Sequence, residues 1–253
     1  MAKSKQYYIR KSHRFLGVFL GIQFLLWTIG GMYFSWSNMD EIHGDTTKKK
    51  TPSFVSTIKM VSPSDVVNSI RTFHPVDSLV SIQLIEILGK PFYQIRCIQT
   101  HQDTIKHSSM QHLMNHLADA ETGKLRLPLS EREATEVAKN HFTGEPSIKA
   151  VEYITETNPH HEYRENPLPA YAVTFNNPEQ TTVYVATELG TVQKFRNNKW
   201  RVFDFLWMMH TMNYQDRDKF GNLLLRSFSI LGLITVFSGF LLFFVTQKRK
   251  SVR

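Results

Sequence analysis

The stretch HRFLGVFLGIQFLLWTIGGMYF, residues 13–34, decides where the rest of the chain is placed. No charged side chain occurs between Phe15 and Phe34. A helix of this length, rising about 1.5 Å per residue, spans roughly the 30 Å hydrocarbon core of a bilayer. A secretory signal has a shorter apolar core and a small-residue cleavage site, whereas this stretch ends in Gly30, Gly31 and Met32 followed by aromatic residues. The pattern therefore predicts a retained transmembrane helix over residues 15–36.

A second apolar segment, SFSILGLITVFSGFLLFFVT at residues 227–246, is also free of charge. It predicts a transmembrane helix over residues 223–246, and two spans put both termini on the same side of a membrane. The short tails, residues 1–14 and 247–253, are basic and contain no acidic residue. Because cytoplasmic segments are enriched in Lys and Arg, we expect both tails in the cytoplasm and the central part in the periplasm. The predicted location is the inner membrane of a double-membraned bacterium.

The net charge of +8 belongs to these tails rather than to the central part. The tails carry Lys3, Lys5, Arg10, Lys11, Arg14, Lys248, Arg249, Lys250 and Arg253. Without them the chain is close to neutral, so we interpret the basic character as an orientation signal with contact to anionic lipids. Nucleic acid is excluded as a partner. Cys97, the one cysteine, permits no internal disulfide and no haem-attaching C-x-x-C-H motif, and we expect it to pack in a strand.

The central part opens with a polar linker over residues 37–60 and then predicts a first unit over residues 61–127. Ser62 and Pro63 suit the start of a helix, and Val66, Val67, Ile70 and Phe73 share one of its faces. Alternating runs begin at Leu79 and Phe92, separated by Gly89, Lys90 and Pro91, which predicts a hairpin. Two further extended pieces flank a turn at residues 121–123.

A second unit over residues 128–197 repeats this order of elements. LSEREATEVAKNHF predicts a capped helix with Ser130 and Glu133, and the apolar residues at 134, 137, 138 and 142 form its inner face. Three strand patterns follow, and Glu188, Leu189 and Gly190 occupy the place of the first unit's turn at 121–123. The two halves recur about 67 residues apart. The predicted fold is α+β, with two tandem units, each a helix packed on an antiparallel sheet, between two transmembrane helices.

Several motifs resemble the PepSY-associated transmembrane family. They are DAETGKL and VYVATELGTV at strand ends, the His-Arg start of the first span, and FLWMMHTMNYQDRDKFGN before the second span. The resemblance covers nearly the whole chain and implies two tandem PepSY-like units in the periplasm. It also implies an accessory or regulatory role in iron uptake, transport or redox chemistry, or the restraint of a peptidase. The chain departs from larger family members, which have four spans and several histidines, and it has Met209 where Leu is expected before His210.

The same resemblance implies haem as a candidate cofactor, with His13 and His210 as the candidate ligands. Axial ligands lie about 2 Å from the iron. His13 is at the cytoplasmic end of the first span and His210 precedes the second span on the outer side, so roughly a 30 Å membrane thickness separates them. They do not serve one iron within a monomer. The alternative interpretations are an interfacial histidine beside Arg14 and a histidine in a connecting helix.

The segment over residues 200–213 predicts a helix that lies against the outer leaflet. Trp200, Phe203, Trp207 and His210 recur at helical spacing, and tryptophan favours the membrane interface. We expect Trp200, Phe203 and Trp207 to contact this interface. The alternative is a surface, rich in methionine and aromatic residues, that contacts a partner or a porphyrin edge.

Small residues in the spans indicate where helices approach each other. Gly17 and Gly21 form a small-x-x-x-small pair, and Gly232 and Gly239 offer a facing surface. We expect antiparallel packing of the two spans, with a homodimer through Gly17 and Gly21 as the alternative. Gln23 is the isolated polar residue of the first span, and we expect it to bond to Ser229 or Ser238.

No catalytic motif is present in the sequence. His160 and His161 beside Glu162 lack a second cluster for zinc, and no H-E-x-x-H, G-x-S-x-G or phosphate-loop pattern occurs. We therefore predict a non-enzymatic binding or regulatory subunit, with no required cofactor, that contacts membrane lipids and a membrane or periplasmic protein. The alternative is a haem-binding electron-transfer subunit for ferric-siderophore reduction.

Overall fold

The structure, a computed structural model, describes residues 5–50, 54, 57–103, 108–215 and 221–250. Parts of both predicted tails and of the predicted linker lie outside these ranges. The chain divides into two compact units. The membrane unit consists of Met1–Asn38 and Arg201–Arg253, and the central unit consists of Met39–Trp200.

The elements of the two units follow one another in a simple order along the chain. They are α1 (Lys5–Trp36), α2 (Met39–Ile42), a 3-10 turn (Asp45–Thr47), α3 (Pro63–Phe73), β1 (Ser78–Ile87), β2 (Lys90–Asp103), β3 (Ser108–Asp119), β4 (Leu125–Arg126), α4 (Glu131–Asn140), β5 (Ile148–Ile154), β6 (Ala170–Phe175), β7 (Thr182–Ala186), β8 (Thr191–Arg196), α5 (Asn198–Thr211) and α6 (Leu223–Lys250).

Two of the described helices are long and apolar enough to cross a membrane. They are the stretch Tyr7–Trp36 of α1 and the stretch Leu223–Phe244 of α6. Both segments overlap those that the sequence predicts over 15–36 and 223–246, although the first begins eight residues earlier, at Tyr7. Large apolar side chains such as Phe15, Ile22 and Phe237 are more than half exposed within the chain, as in helices whose surroundings are lipid.

The central unit contains two four-stranded antiparallel sheets, which confirms the predicted α+β class. The first sheet has the order β1-β2-β3-β4 and the second has the order β5-β6-β7-β8. Each sheet is meandering, so every strand pairs with its neighbour in sequence. One helix precedes each sheet, α3 before the first and α4 before the second.

Both helices begin as their sequences predict. The Ser62 side chain accepts a hydrogen bond from the Ser64 N–H, and Pro63 occupies the first turn of α3. Ser130 and Glu133 form a complete capping box at α4, each side chain bonding the other residue's backbone N–H. Phe73 differs from expectation because it lies at the last position of α3 and is 73% exposed.

The two predicted turns have the same geometry. The Gly123 N–H donates to the Asp119 carbonyl at 2.8 Å, and the Gly190 N–H donates to the Ala186 carbonyl at 2.9 Å. Both glycines have positive φ, 74° and 70°, which side chains disfavour. The repeat in the sequence is therefore also a repeat in turn conformation.

The central unit has two main hydrophobic cores of unequal size. The smaller lies between α3 and the first sheet and includes Val66, Ile70 and Ile95. The larger lies between α4 and the second sheet, and the first sheet contributes to it. Its buried members are Ile87, Phe92, Leu117, Leu129, Ala134, Val137, Ala138, Phe142, Val173, Phe175, Val183, Val185 and Phe195. The first and second sheets of the central unit thus share one core.

The segment predicted as a polar linker is folded over residues 39–50. It contains α2 and the 3-10 turn, and Lys48 forms an antiparallel bridge with Phe142. Ile42 is 1% exposed, and a Cβ at Gly44 would lie 3.0 Å from the Phe195 Cβ. Burial of Ile42, the close contact of Gly44 and backbone hydrogen bonds with residues 141–143 order this polar segment, which its composition does not indicate.

Candidate functional sites

The contact between α1 and α6 uses the glycines of the second span. A Cβ at Gly232 would lie 2.9 Å from the Phe24 ring, and a Cβ at Gly239 would lie 3.3 Å from His13 Cε1. Gly17 and Gly21, in contrast, have no atom within 4 Å of a Cβ in the described structure. Close packing within the chain therefore lies at Gly232 and Gly239, and the Gly17 and Gly21 surface is open.

His13 forms part of this helix contact. Its Nδ1 lies 2.7 Å from the Ser238 Oγ, which itself donates to the Thr235 carbonyl at 2.7 Å. The histidine therefore has a polar partner on α6, and one of its two ring nitrogens is already engaged. Ser238 is one of the two residues that the sequence suggests as a partner of Gln23, but it contacts His13 instead.

Gln23 bonds to α5 rather than to a serine of α6. Its Nε2 donates to the Met209 carbonyl at 3.1 Å, and Gln23 is 7% exposed. Ser229 Oγ donates to the Leu225 carbonyl of its own helix. The expectation that Gln23 bonds Ser229 or Ser238 is therefore corrected, because a free helix-end carbonyl is the stronger acceptor available.

The C-terminal end of α5 is capped by side chains. Gln23 and Trp27 bond the Met209 and His210 carbonyls, the latter at 2.8 Å. Thr211 Oγ1 donates to the Trp207 carbonyl at 2.9 Å, and Asn222 Nδ2 donates to the Thr211 carbonyl at 3.0 Å. Because the last carbonyls of a helix have no partner within it, this arrangement gives the Met209, His210 and Thr211 carbonyls side-chain donors.

The described part of α5 within the membrane unit runs antiparallel along α1. Its Phe203 ring lies 4.9 Å from the Phe34 ring, and six residues further along the Met209 carbonyl reaches Gln23. The sequence predicts instead an interfacial helix over 200–213. The helix is present, but its end lies beside the uncharged middle of α1.

His210 lies in an aromatic cluster formed by α1 and α5. Its ring centroid is 5.9 Å from Trp27, 5.7 Å from Phe34 and 6.4 Å from Trp207. Its Nδ1 is buried and has no hydrogen-bond partner in the part of the chain that the structure describes. A Cβ at Gly30 would lie 3.8 Å from this nitrogen, so the absence of a side chain at Gly30 leaves space beside it.

The predicted interface residues separate into two groups. Phe203 and Trp207 belong to the aromatic cluster and stack on each other at 6.0 Å. Trp200 belongs to the central unit, where it is 9% exposed and lies under the Arg196 guanidinium at 4.0 Å. Trp200 is therefore unsuited to the membrane contact that its spacing predicts.

One row of side chains crosses the first sheet and carries unpartnered polar atoms. Ser81 on β1 pairs in register with Arg96 on β2, which pairs with Asn115 on β3. Ser81 Oγ, Arg96 Nε and Asn115 Oδ1 are all buried and have no hydrogen-bond partner among the described residues. Asn115 Nδ2 donates to Glu188 at 3.2 Å, at the end of the row away from β1. We call Ser81, Arg96 and Asn115 the polar row.

The sequence contains a signal for the polar row that motif searches miss. Arg96 stands between two apolar residues, Ile95 and Cys97, in an alternating strand. Strand alternation puts Arg96 on the face opposite to the α3 core. The side chains that flank it on β1 and β3 depend on register, which the sequence does not give.

The opposite face of the first sheet contains a pair of histidines. His74, which follows α3, lies 5.2 Å from His116 between ring centroids. Burial and the nearby charge of His74 lower the pKa of His116. His116 Nε2 is buried without a partner among the described residues.

Cys97 is buried in the same sheet, and burial raises the pKa of its thiol.

A cavity of about 510 Å³ lies at the C-terminal end of α4. Its floor is formed by Phe142 and Phe175, and Lys49, Lys139 and Glu136 stand at its rim. Charges of both signs surround the cavity, so its lining favours neither an anion nor a cation.

Among the described residues, no group of three or more His, Cys, Asp or Glu side chains is arranged to hold a metal ion.

No family model, curated protein or solved structure matches this chain.

Proposed function

We propose that this protein is a membrane-anchored binding subunit whose central unit contacts a partner on the outer face of the inner membrane. The central unit would act as two PepSY-like domains and serve a transport, iron-uptake or redox assembly, or restrain a peptidase. Its anchors would be α1 and α6, with both tails in the cytoplasm.

The observation that carries this proposal is the position of the central unit in the chain. A folded α+β segment of about 160 residues, a size typical of a domain, stands between two helices of membrane-crossing length. Two such helices return the chain to its starting side, so the central unit is held at one surface. Basic residues that flank the uncharged stretches 15–34 and 227–246, near the N-terminal end of α1 and the C-terminal end of α6, support a cytoplasmic location for the tails.

The membrane unit supports a built anchor rather than two independent tethers. α1 contacts α6 through His13 and Ser238, and it contacts α5 through Gln23 and Trp27. Hydrogen bonds between helices in an apolar medium contribute about 1 kcal/mol each and fix helix orientation.

Topology measurements test this proposal. Reporter fusions at Lys59 and Lys250 should report opposite sides of the membrane, and the intact protein should be recovered in the membrane fraction. A common side for both positions, or recovery of the intact chain as a soluble protein, would overturn it.

A second candidate function rests on His210. Its buried, unpartnered Nδ1 and its three aromatic neighbours suit the edge of a haem, which would supply one-electron transfer when bound. His13 is engaged with Ser238 and lies near the other end of α1, so a second axial ligand would come from another subunit.

An absorption spectrum of the detergent-purified protein separates the two functions. The binding-subunit proposal expects no Soret band. A band near 400 nm, on the order expected for haem proteins, that shifts with dithionite and disappears in His210→Ala but persists in His13→Ala would establish the haem function instead.

A further inference from the structure

Strand β1 forms a long open edge of the first sheet. It has ten residues, of which Glu86 is charged, and no strand among the described residues pairs with its outer side. Leu79, Val80 and Leu84 are 46%, 50% and 37% exposed. Soluble proteins usually protect such an edge, because its unpaired backbone groups attract another strand.

The corresponding edge of the second sheet is protected. Strand β5 has seven residues, and both Lys149 and Glu152 are exposed on it. Charges on a short edge strand discourage pairing with another chain. β1 and β5 are therefore equivalent edge strands of the two sheets, and β1 is the longer and the more apolar of the two.

The polar row leads from this open edge into the sheet. Ser81 stands on β1 itself, and Arg96 lies next to it on β2, with side chains opposite each other about 5 Å apart at Cβ. Arg96 makes no ion pair in the described part of the chain, and its Nε is buried without a partner. The carboxylate of Glu188 accepts a hydrogen bond from Asn115, at the end of the polar row that lies away from β1.

Three orphaned polar atoms in one row call for a ligand. Buried polar groups in native proteins nearly always have a hydrogen-bond partner, and leaving one unpaired costs about 1–3 kcal/mol. Arginine binds carboxylates with two parallel hydrogen bonds, and Ser81 Oγ can donate a third. The ligand that fits the row is therefore a carboxylate that reaches it from the β1 side.

We propose that β1 binds an extended peptide segment of a partner protein as a fifth strand of the first sheet, with an acidic residue of that segment placed opposite Ser81 and bonded to Arg96. This inference rests on the proposed binding function and names its surface. Backbone hydrogen bonds along β1 would supply affinity, and the polar row would supply specificity.

The test uses the full-length protein in detergent and two synthetic probe peptides. One is an eight-residue peptide of alternating threonine and valine with a central glutamate, and the other has glutamine in its place. Fluorescence anisotropy should show roughly tenfold tighter binding of the glutamate peptide, because hydrogen bonds to a charged group contribute more than neutral ones.

Two variants should abolish this preference by opposite routes. Arg96→Gln removes the cation. Ser81→Asp places a carboxylate opposite Arg96 within the chain, and it should raise the thermal unfolding temperature while removing the preference. Because Ser81→Asp should stabilise the fold, loss of the glutamate preference in that variant cannot be assigned to misfolding. Arg132→Gln, an equal change of charge at an exposed site on α4, should leave both affinities unchanged.

Three results would overturn the inference. They are absence of binding by both peptides, equal affinities for the two peptides, and a glutamate preference that survives in Arg96→Gln. A dimer in detergent that Ser81→Asp dissociates would instead assign the edge to a second copy of this chain. None of these results affects the proposed function, which fails only if the topology or the spectrum contradicts it.

Discussion

The two sheets of the central unit have the same strand order but differ in how completely their polar groups are paired. In the second sheet, Thr174 and Thr182 face each other across β6 and β7 at 3.0 Å, and Tyr184 donates to Glu162 at 2.6 Å. Its two middle strands are largely buried. In the first sheet, the polar row and His116 contain buried atoms without partners.

The difference indicates that the two sheets have different roles in the central unit. The second sheet contributes five of the thirteen buried residues of the larger core and the first sheet contributes three, and Val173, Phe175, Val183 and Val185 of the second sheet are buried completely. The first sheet gives part of one face to that core and keeps an open edge at β1. Because the two sheets share the larger core, burial in the second sheet can offset the cost of unpaired polar groups in the first sheet.

The largest expected effect lies in the shared core. Phe175→Ala should reduce the free energy of unfolding by about 3–5 kcal/mol, because Phe175 is fully buried and stacks on Phe142 at 4.5 Å. Leu84→Ala on the open edge should cost less than about 1 kcal/mol. Denaturant unfolding of the full chain in detergent measures both, and similar losses would show that β1 is not an open edge.

The junction between the sheets should give the next largest effect. A Cβ at Gly190 would lie 2.6 Å from Ile87 Cδ1 and 3.2 Å from Leu117 Cδ1, at positive φ. Gly190→Ala should therefore destabilise the protein by about 2–4 kcal/mol.

Gly89→Ala is the matched control for this junction. Gly89 also has positive φ, but its Cβ would meet no atom within 4 Å, so backbone strain alone should cost about 1–2 kcal/mol. Equal losses of thermal stability in the two variants would mean that the sheets are not closely packed at Gly190.

The helix caps predict a smaller difference. Ser130→Ala should cost about 1 kcal/mol, because it removes the bond that the Ser130 hydroxyl accepts from the Glu133 N–H and the bond that it donates to the Glu133 carboxylate. The bond from the Ser130 backbone N–H to Glu133 remains. Ser62→Ala should cost about half as much, since Ser62 accepts a single bond from the Ser64 N–H at 3.2 Å. Thermal unfolding of both variants measures this order, and a larger loss at Ser62 would contradict it.

The smallest effect is a dependence on acid pH. Burial opposes ionisation of Glu133, but hydrogen bonds from Ser130 and Arg126 outweigh it and lower its pKa from 4.5. Its carboxylate therefore stabilises the fold above pH 4.5, and this contribution is lost as pH falls through the lower folded pKa. Glu133→Gln should flatten the pH dependence of unfolding in this window, and an unchanged profile would contradict the assignment.

Several parts of the fold could be predicted because their signals are local. The apolar stretches at 15–36 and 223–246, the Ser130 capping box and the turns at Gly123 and Gly190 each depend on neighbouring residues. The folded segment at 39–50 could not be predicted from its composition, since its order depends on burial of Ile42 and on contact of Gly44 with Phe195.

The candidate sites were predicted less completely than the fold. His210, Phe203 and Trp207 were identified by helical spacing, and the structure brings them together with Trp27 and Phe34. Trp200 shares the same spacing, yet Arg196 covers it in the central unit. Spacing assigns residues to a face of a helix, but it does not say which other element covers that face.

The sequence by itself determined the two membrane-length helices, the α+β class and the repeated order of elements, because hydrophobic length, alternation and capping act between residues close in the chain. Only the tertiary structure decided that Gln23 meets the Met209 carbonyl and that Arg96 lies between Ser81 and Asn115, with no counter-ion among the described residues. These contacts join residues far apart in sequence, and their geometry follows from register and helix packing rather than from local preference.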